Sequence, residues 1–462
     1  MDLHDLTAVE QALAIRRGET SSVELTEHYL RRSHDLTATV GAFVTITDDL
    51  ALEQARAADR QVAESADPQT LPVLHGVVVP VKDLNEVKGV RCRFGSVVTD
   101  VISPIDDDMV LLLREGGTIM TGKTSTPEFG LPCYTEPDVA DWSRTPWDLK
   151  RSAGGSSGGA ATAVASGLAP IAQGSDGGGS IRIPASVCGL VGLKTSRGLV
   201  PSGPNPESQG RLEVNGPLAR TVTDVAALLD VMTGRGPADS YLRNLESDPE
   251  PLLIGRYRQP VIADTTVHPE CIVAYEQTSL LLESLGHHVV DIDVPFPLSA
   301  VVHFERVWAA LAAAIPIPPE RESELRPLTR WLRGIGRGLS LDEVTAAVDL
   351  MAGYGRAALD ATSHLDIILT PTLADLPALI GSLRDDEDPV ADFLAQKRFT
   401  PFTSPYNITG QPAVSLPLHW TKDGLPVGVQ LVGQPMAEAT VLRLAAQLER
   451  ARPWVDRHPE VW

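Results

Sequence analysis

Apolar and polar residues are arranged along this chain in blocks that predict an α/β protein. Two amphipathic helices are predicted near the start, each opened by a capping-box pair, Thr7 with Glu10 and Ser21 with Glu24. Strand-like and helical segments then alternate over residues 73–235. Such alternation favours a core sheet that helices cover on both faces.

The second half of the chain contains the same kinds of element. In order, the sequence predicts a surface connection at 236–260, a helix and then a strand within 263–298, helices over 300–360, strands at 366–370 and 412–432, and a last helix at 436–451. The length of 462 residues is compatible with about two or three domains or with one large α/β unit.

A glycine-rich turn between a strand and a helix is the first candidate for chemistry. Residues 169–174 (APIAQG) predict a short apolar strand. A helix should begin near Ser180, because Pro184 is tolerated only in the first turn of a helix. Unpaired N–H groups at such a helix start stabilise an oxyanion or a phosphate. This turn alone is compatible with either ligand, and also with a purely structural role.

A second glycine turn, GGSSGG at 154–159, places Ser156 24 residues before Ser180. Two serine-bearing turns that flank one helix-and-strand unit favour an acyl-transfer site. Such a site needs a nucleophile together with donors directed at the oxygen that becomes negative.

A serine nucleophile also needs a base. None of the 11 histidines lies near either turn, and the nearest upstream is His75. Lys82 follows the apolar run 76–81, which predicts a buried strand. Burial lowers the pKa of a lysine, so Lys82 is a candidate base. On its own, Lys82 is also compatible with a pair with Asp83 or with a position at the surface.

Three ordered segments resemble the amidase signature family: residues 75–83 (HGVVVPVKD), 145–167 (TPWDLKRSAGGSSGGAATAVASG) and 174–194 (GSDGGGSIRIPASVCGLVGLK). The resemblance continues through 215–234, 366–372, 402–418 and 424–433. It covers roughly residues 70–235 and 360–455, and its motifs are long and specific.

The resemblance implies a Ser–cis-Ser–Lys triad. Ser180 matches the nucleophile, Ser156 the serine that follows a cis peptide bond, and Lys82 the base. The proton is expected to pass from Ser180 through Ser156 to Lys82. Matching oxyanion-hole positions are Gly177, Gly178 and Gly179, with the Ser180 N–H, and matching supporting positions are Ser157, Asp176 and Arg182.

The resemblance further implies the fold class, which is α/β with a mixed central β-sheet covered on both faces by α-helices. One amidase domain is expected over residues 1–462. Within it we expect a signature core at about 70–235, a variable helical segment at about 300–360, and strands within 366–432 that complete the sheet.

The substrate pocket is less well determined by the sequence. Its expected lining is Cys133 and Tyr134 in the loop 130–135, with Phe304, Trp308 and Tyr354 in the helical segment. Their mixture of aromatic and small side chains indicates an apolar acyl or aryl pocket. Large aromatic residues are as often core residues, which is the alternative interpretation.

Two short motifs compete with this interpretation. Residues 117–124 (GTIMTGKT) match the phosphate-loop pattern around Lys123, and residues 155–159 match G-x-S-x-G with Ser157 as nucleophile. Both motifs need a strand immediately before them. A helix is predicted before the first and a polar segment before the second, so both are rejected.

Charge and cysteine usage limit the partners and the compartment. The net charge is −21, from 60 acidic and 39 basic residues, which argues against nucleic-acid or anionic-membrane partners. The four cysteines are irregularly spaced, which favours free thiols in a reducing cytosol. The sequence shows no signal peptide and no run of 18 apolar residues, so a cytoplasmic protein without a membrane partner is expected. It contains neither HExxH nor paired CxxC motifs, so neither a metal nor a cofactor is predicted.

The predicted function is therefore an amidohydrolase. Its substrate is a small-molecule carboxylic amide, with anilides, cyclic amides, carbamates and esters all open. The alternatives are the glutamine-amidase subunit of a tRNA-dependent amidotransferase, which would need partner chains, and a nucleotide-binding protein that uses Lys123. A homodimer is also left open.

Overall fold

The hydrophobic blocks of the sequence form helices and three sheets in the computed structural model of the protein, which describes residues 2–204 and 212–462. The helices within these residues are α1 Ala8–Arg16, α2 Ser22–Val40, α3 Asp48–Glu64, α4 Asp108–Glu115, α5 Gly158–Ala165, α6 Arg182–Cys188, α7 Val222–Met232, α8 Pro269–Ser284, α9 Ser299–Ala314, α10 Pro327–Gly338, α11 Leu341–Ala361, α12 Pro389–Phe399, α13 Pro405–Thr409 and α14 Glu438–Ala451.

The strands of the described residues are β1 Phe43–Ile46, β2 Val81–Lys82, β3 Arg91–Cys92, β4 Val101–Ile102, β5 Gly122–Thr124, β6 Ile171–Asp176, β7 Val191–Lys194, β8 Val214–Ala219, β9 Leu253–Arg256, β10 His288–Asp291, β11 Ile367–Pro371, β12 Ala413–Trp420 and β13 Pro426–Gly433. Eight of them form the main sheet in the order β10-β9-β11-β13-β12-β7-β8-β6. The first three run parallel and the other pairings are antiparallel, so the sheet is mixed.

Both faces of this sheet are buried. In β13, Val429 and Leu431 point into a hydrophobic cluster formed with α7, α8 and α14. Val432 points to the opposite face, where it packs with Phe402 and with Tyr406 of α13. Helices α5 and α6 cover another part of that second face, next to Leu218 of β8. The predicted fold class, a mixed sheet between two layers of helices, is therefore confirmed.

A small sheet with the order β1-β5-β2 carries Lys82 to the end of β6. The two sheets are joined through Gln173 of β6, whose side-chain oxygen accepts a hydrogen bond from the Lys82 N–H at 2.9 Å. The Gln173 N–H in turn donates to the carbonyl of Pro80 at 3.1 Å. These two bonds fix the strand that carries Lys82 against the strand that precedes the GGGS turn.

Two strand predictions need correction. The strand expected over 76–81 is reduced to β2, Val81–Lys82, because Pro80 has no N–H to donate to a neighbouring strand. The predicted surface connection at 236–260 contains β9, which lies between β10 and β11 in the main sheet. Proline and acidic residues on both sides of this short apolar segment concealed it.

Both capping boxes at the start of the chain are confirmed, with Thr7 and Ser21 accepting from the N–H groups of Glu10 and Glu24. The rejection of the phosphate loop is also supported. Its lysine, Lys123, lies on β5 with a fully buried side chain that contacts a carboxylate of Asp83 at 2.9 Å.

No helix among the described residues combines the length and the apolar character that crossing a membrane requires.

The end of α2 offers a test of local backbone fit. Gly41 has φ +70°, and a Cβ there would lie 2.3 Å from the carbonyl oxygen of Trp142. We expect Gly41→Ala to lower the free energy of unfolding, measured by urea denaturation, by more than the about 1–2 kcal/mol that a positive φ costs a residue with a side chain.

Gly18→Ala is the matched control. Gly18 has φ +68°, but no atom lies within 4 Å of the position of its Cβ. It should lose only the conformational part, so equal losses in the two variants would contradict the proposed contact with Trp142.

Candidate active site

The GGGS turn joins β6 to α6 and is closed by the carboxylate of Asp176. This carboxylate accepts hydrogen bonds from the N–H groups of Gly179, at 2.8 Å, and Ile181, at 3.1 Å. Gly179 has φ +133°, and a Cβ there would lie 2.4 Å from the Thr403 hydroxyl, so only glycine fits. Ser180 follows at the start of α6 and lines a cavity. The predicted helix start near Ser180 is confirmed.

Arg182 holds Asp176 in place from the other side. Its Nε and one terminal nitrogen donate to the two carboxylate oxygens at 2.9 and 2.8 Å, and both side chains are fully buried. The remaining donors of Arg182 bond to Thr403 O, Asn407 Oδ1 and Gln430 Oε1, each at 2.7 Å. Burial alone would raise the pKa of Asp176, but the charge and hydrogen bonds of Arg182 hold it well below its usual range.

The second glycine turn lies directly against the first. The Ser157 N–H donates to the Ser180 carbonyl at 3.1 Å, and the Ser157 hydroxyl donates to the Ser175 carbonyl at the same distance. The peptide bond between Gly155 and Ser156 is cis, which confirms the prediction. The Ser156 side chain is buried and directed towards β2.

Lys82 lies at the centre of these elements and is fully buried. Its Nζ is 2.8 Å from the Ser156 hydroxyl, 3.1 Å from the Ser175 hydroxyl and 3.2 Å from the Ser175 carbonyl. Burial lowers the pKa of Lys82 to about 7, although the charges of Glu213 and Asp176 act in the opposite direction. Burial therefore favours the neutral form of this lysine, which is the form that can accept a proton.

The structure brings the predicted triad together but forms only one of its two contacts. The Lys82–Ser156 hydrogen bond is present. Within the described part of the chain, no hydrogen bond joins the hydroxyls of Ser156 and Ser180. The Ser180 side chain lines the cavity, and the two serine turns meet through their backbones.

The predicted oxyanion hole needs one correction. The Gly179 N–H is already bonded to Asp176 and so is not free to receive an oxyanion. The N–H groups of Gly177, Gly178 and Ser180 have no acceptor among the described residues. The carboxylate of Asp176 accepts from an N–H three residues further along the chain and so closes its own turn, which the glycine pattern alone could not indicate.

The cavity beside Ser180 is mostly apolar. Of the predicted lining, Cys133, Phe304 and Trp308 contribute to its wall. The rings of Phe304 and Trp308 stack at 5.6 Å between centroids and cover the glycine turn. The Phe304 ring comes within 3.7 Å of where a Gly178 Cβ would be.

Tyr134 and Tyr354 are not part of that wall. The Tyr134 hydroxyl donates to Asp392 at 2.6 Å behind the loop, where Tyr134 is almost fully buried. The Tyr354 hydroxyl accepts a bond from Ser299 at 3.1 Å, and its ring lies beside His303. Tyr134 therefore lies in the correct loop but on the side away from the cavity, whereas Tyr354 lies on α11, which contributes no residue to the cavity wall.

Several residues around the site were missed by the sequence analysis. Asp392 and Gln396 lie one turn apart on α12, where Gln396 accepts from the Cys133 N–H at 2.8 Å. Together they hold the loop that packs against Gly155. Nothing in the composition of α12 distinguishes these two side chains. Ser175 was a detectable candidate, because it lies within the segment 174–194 that carries the family resemblance.

Comparison with known proteins identifies the group to which this arrangement belongs. The profile described as Amidase matches residues 24–442. The chain belongs to the amidase signature family. It is 36% identical over 472 residues to AmiB2 of Mycobacterium tuberculosis, an amidase by assignment, with all of both chains covered. It is 34% identical over 488 residues to the 6-aminohexanoate-cyclic-dimer hydrolase of Paenarthrobacter ureafaciens, covering 98% of this chain and 96% of that one.

Solved structures of amidase signature enzymes have the same fold as this chain. A structure of 6-aminohexanoate cyclic dimer hydrolase has a TM-score of 0.89 at 29% identity, covering 100% of this amidase and 99% of that chain. A bacterial aryl acylamidase has a TM-score of 0.86 at 24% identity, with 98% and 97% covered, and shows the same fold. This amidase is thus an amide-cleaving hydrolase, and its relatives do not favour the amidotransferase subunit.

In the described residues of this amidase, no group of three or more His, Cys, Asp or Glu side chains is arranged to hold a metal ion.

The Arg182–Asp176 pair provides a stability test. Asp176→Asn leaves a fully buried guanidinium without a counter-charge, so the free energy of unfolding in urea should fall by about 3–5 kcal/mol. The control is Glu19→Gln in the pair Arg17–Glu19, where both side chains are mostly exposed and the closest atoms are 3.9 Å apart. This variant should change stability by less than about 0.5 kcal/mol. Similar losses in both would mean that the buried pair has no special role.

Proposed function

We propose that this amidase hydrolyses neutral carboxylic amides through an acyl-enzyme on Ser180. The observation that carries the proposal is the 2.8 Å hydrogen bond between Lys82 Nζ and the cis-linked Ser156. The serine in the neighbouring turn, Ser180, lines an apolar cavity.

The reaction begins with neutral Lys82. Lys82 accepts the proton of the Ser156 hydroxyl while Ser156 accepts that of Ser180, and Ser180 Oγ attacks the amide carbon. This requires the Ser180 hydroxyl to turn towards Ser156 when substrate binds. The N–H groups of Gly177, Gly178 and Ser180 are suited to stabilise the oxyanion, because each lacks a partner among the described residues.

Collapse of the tetrahedral intermediate breaks the C–N bond. The protons return from Lys82 through Ser156 to the leaving amine, which departs neutral. Water then gives its proton to the same relay and attacks the acyl-enzyme, which releases the carboxylic acid and restores Ser180.

Other candidate bases are less suitable. Burial also lowers the pKa of Lys194 to about 7, yet its Nζ donates to the carbonyl of Thr195 at 2.9 Å. His75 is buried away from the turns, with Nε2 3.1 Å from the Ala58 carbonyl. Lys82 is the candidate whose amine reaches a site serine.

The cavity supports a substrate with an apolar acyl or aryl group. Its wall is dominated by aliphatic and aromatic side chains, including Phe304, Trp308 and Phe393. The relative named 6-aminohexanoate-cyclic-dimer hydrolase makes cyclic amides a natural first test. A hydrolysis panel of anilides, cyclic amides, primary amides, carbamates and esters would rank them. The four cysteines are buried free thiols, which supports the proposal that the enzyme works in a reducing, cytoplasmic compartment.

The nucleophile can be tested by substitution and labelling. Ser180→Ala should reduce kcat/KM by at least about a thousandfold and abolish labelling by a fluorophosphonate, because no hydroxyl remains to be acylated. Ser157→Ala, which removes the serine of the competing G-x-S-x-G motif, should still be labelled. Labelling of the Ser180 variant but not of the Ser157 variant would assign the nucleophile to Ser157.

The base can be tested through pH. Since only neutral Lys82 accepts a proton, kcat/KM should be low below pH 7, rise through about pH 7 and level off above it. Lys82→Ala should remove most of the activity together with this acidic limb. Lys194→Met should keep the acidic limb, although the lysine that it removes also has a pKa of about 7. A limb that disappears only in the Lys194 variant would overturn the assignment.

A further inference from the structure

The apolar cavity beside Ser180 contains one ion pair. Among the described residues that line it, the charged side chains are Glu305 of α9 and Lys397 of α12. Lys397 Nζ lies 2.6 Å from Glu305 Oε1, and the two side chains are 23% and 32% exposed. A pair with this much burial is weakly screened by solvent, so its charges affect what binds next to it.

The pair joins the two helices that form the cavity wall. In α9, Ala300, Phe304, Glu305 and Trp308 face the cavity, which places the carboxylate next to the aromatic rings over the glycine turn. In α12, Phe393, Gln396, Lys397 and the following Thr400 face it. The Lys397 ammonium also lies 5.5 Å from the centre of the Phe393 ring.

Each charge has the other as its partner. In the described chain, the Glu305 carboxylate has no second cation, and Lys397 Nζ has no second acceptor. Removing either member would therefore leave an unpaired charge on the wall of an otherwise apolar space. Such a charge costs free energy unless a ligand of opposite sign neutralises it.

We propose that the Glu305–Lys397 pair determines the charge selectivity of this amidase by keeping its acyl pocket electrically neutral. This inference rests on the proposed function, since it assumes that the cavity holds the acyl group. With both residues present, uncharged acyl groups are favoured. With one removed, the remaining charge recruits an acyl group that carries the opposite charge.

The test measures binding without turnover. Calorimetry in the Ser180→Ala background would compare hexanoyl anilide with its ω-carboxylate and ω-ammonium analogues. With the pair intact, the neutral anilide should bind most tightly. Glu305→Gln should improve binding of the carboxylate relative to the neutral anilide by about tenfold or more, and Lys397→Met should do the same for the ammonium analogue.

Two double variants are the matched controls. Glu305→Gln with Lys397→Met removes both charges, and Glu305→Lys with Lys397→Glu exchanges them, so both should keep the preference for the neutral anilide. The exchanged variant also restores the contact between α9 and α12 if a single variant folds poorly. Glu324→Gln, in the exposed Arg321–Glu324 pair, should leave all ratios unchanged.

The proposal is overturned if the single variants keep the parental binding ratios, or if both shift them towards the same charge. It is equally overturned if the charge-free variant gains affinity for either ion. Failure of the proposed function would give a different result. The protein that retains Ser180 would hydrolyse none of the anilides, while the binding ratios in the Ser180→Ala background would still change when one member of the pair is replaced.

Discussion

The site depends on the buried contact between Arg182 and Asp176. Two buried ions are costly to desolvate, and they are tolerated because the guanidinium and the carboxylate form two parallel hydrogen bonds and use their other polar atoms as well. The carboxylate then closes the GGGS turn through Gly179 and Ile181. The direction in which Ser180 leaves β6 is thus set by electrostatics in the core.

Desolvation favours the neutral form of Lys82, whereas Asp176 stays charged despite its burial. Among the described residues no carboxylate contacts the Lys82 amine, and the acceptors around it are the neutral oxygens of Ser156 and Ser175. The more distant charges of Glu213 and Asp176 do not compensate for burial. Lys123, a strand away, is equally buried but contacts Asp83 directly. The two lysines show how the position of one carboxylate separates a candidate base from a structural ion pair.

The sequence predicted those parts of the site that are encoded in continuous segments. The two glycine turns and the helix start near Ser180 depend on neighbouring residues, the cis bond before Ser156 was implied by the family resemblance, and the structure confirms all of them. The partners of Arg182 other than Asp176 could not be predicted, because they lie 221 to 248 residues away along the chain. The prediction of Tyr354 was wrong for a related reason, since a helical pattern does not say which of several helices packs against the cavity. The catalytic roles remain predictions.

The long reach of Arg182 has a consequence for biosynthesis. Its acceptors Thr403, Asn407 and Gln430 are synthesised 221 to 248 residues after Arg182 itself. A nascent chain that ends before Gln430 cannot supply all the acceptors of this guanidinium, so its GGGS turn is not yet fixed. The turn that carries Ser180 can therefore reach its final geometry only after Gln430 has been synthesised.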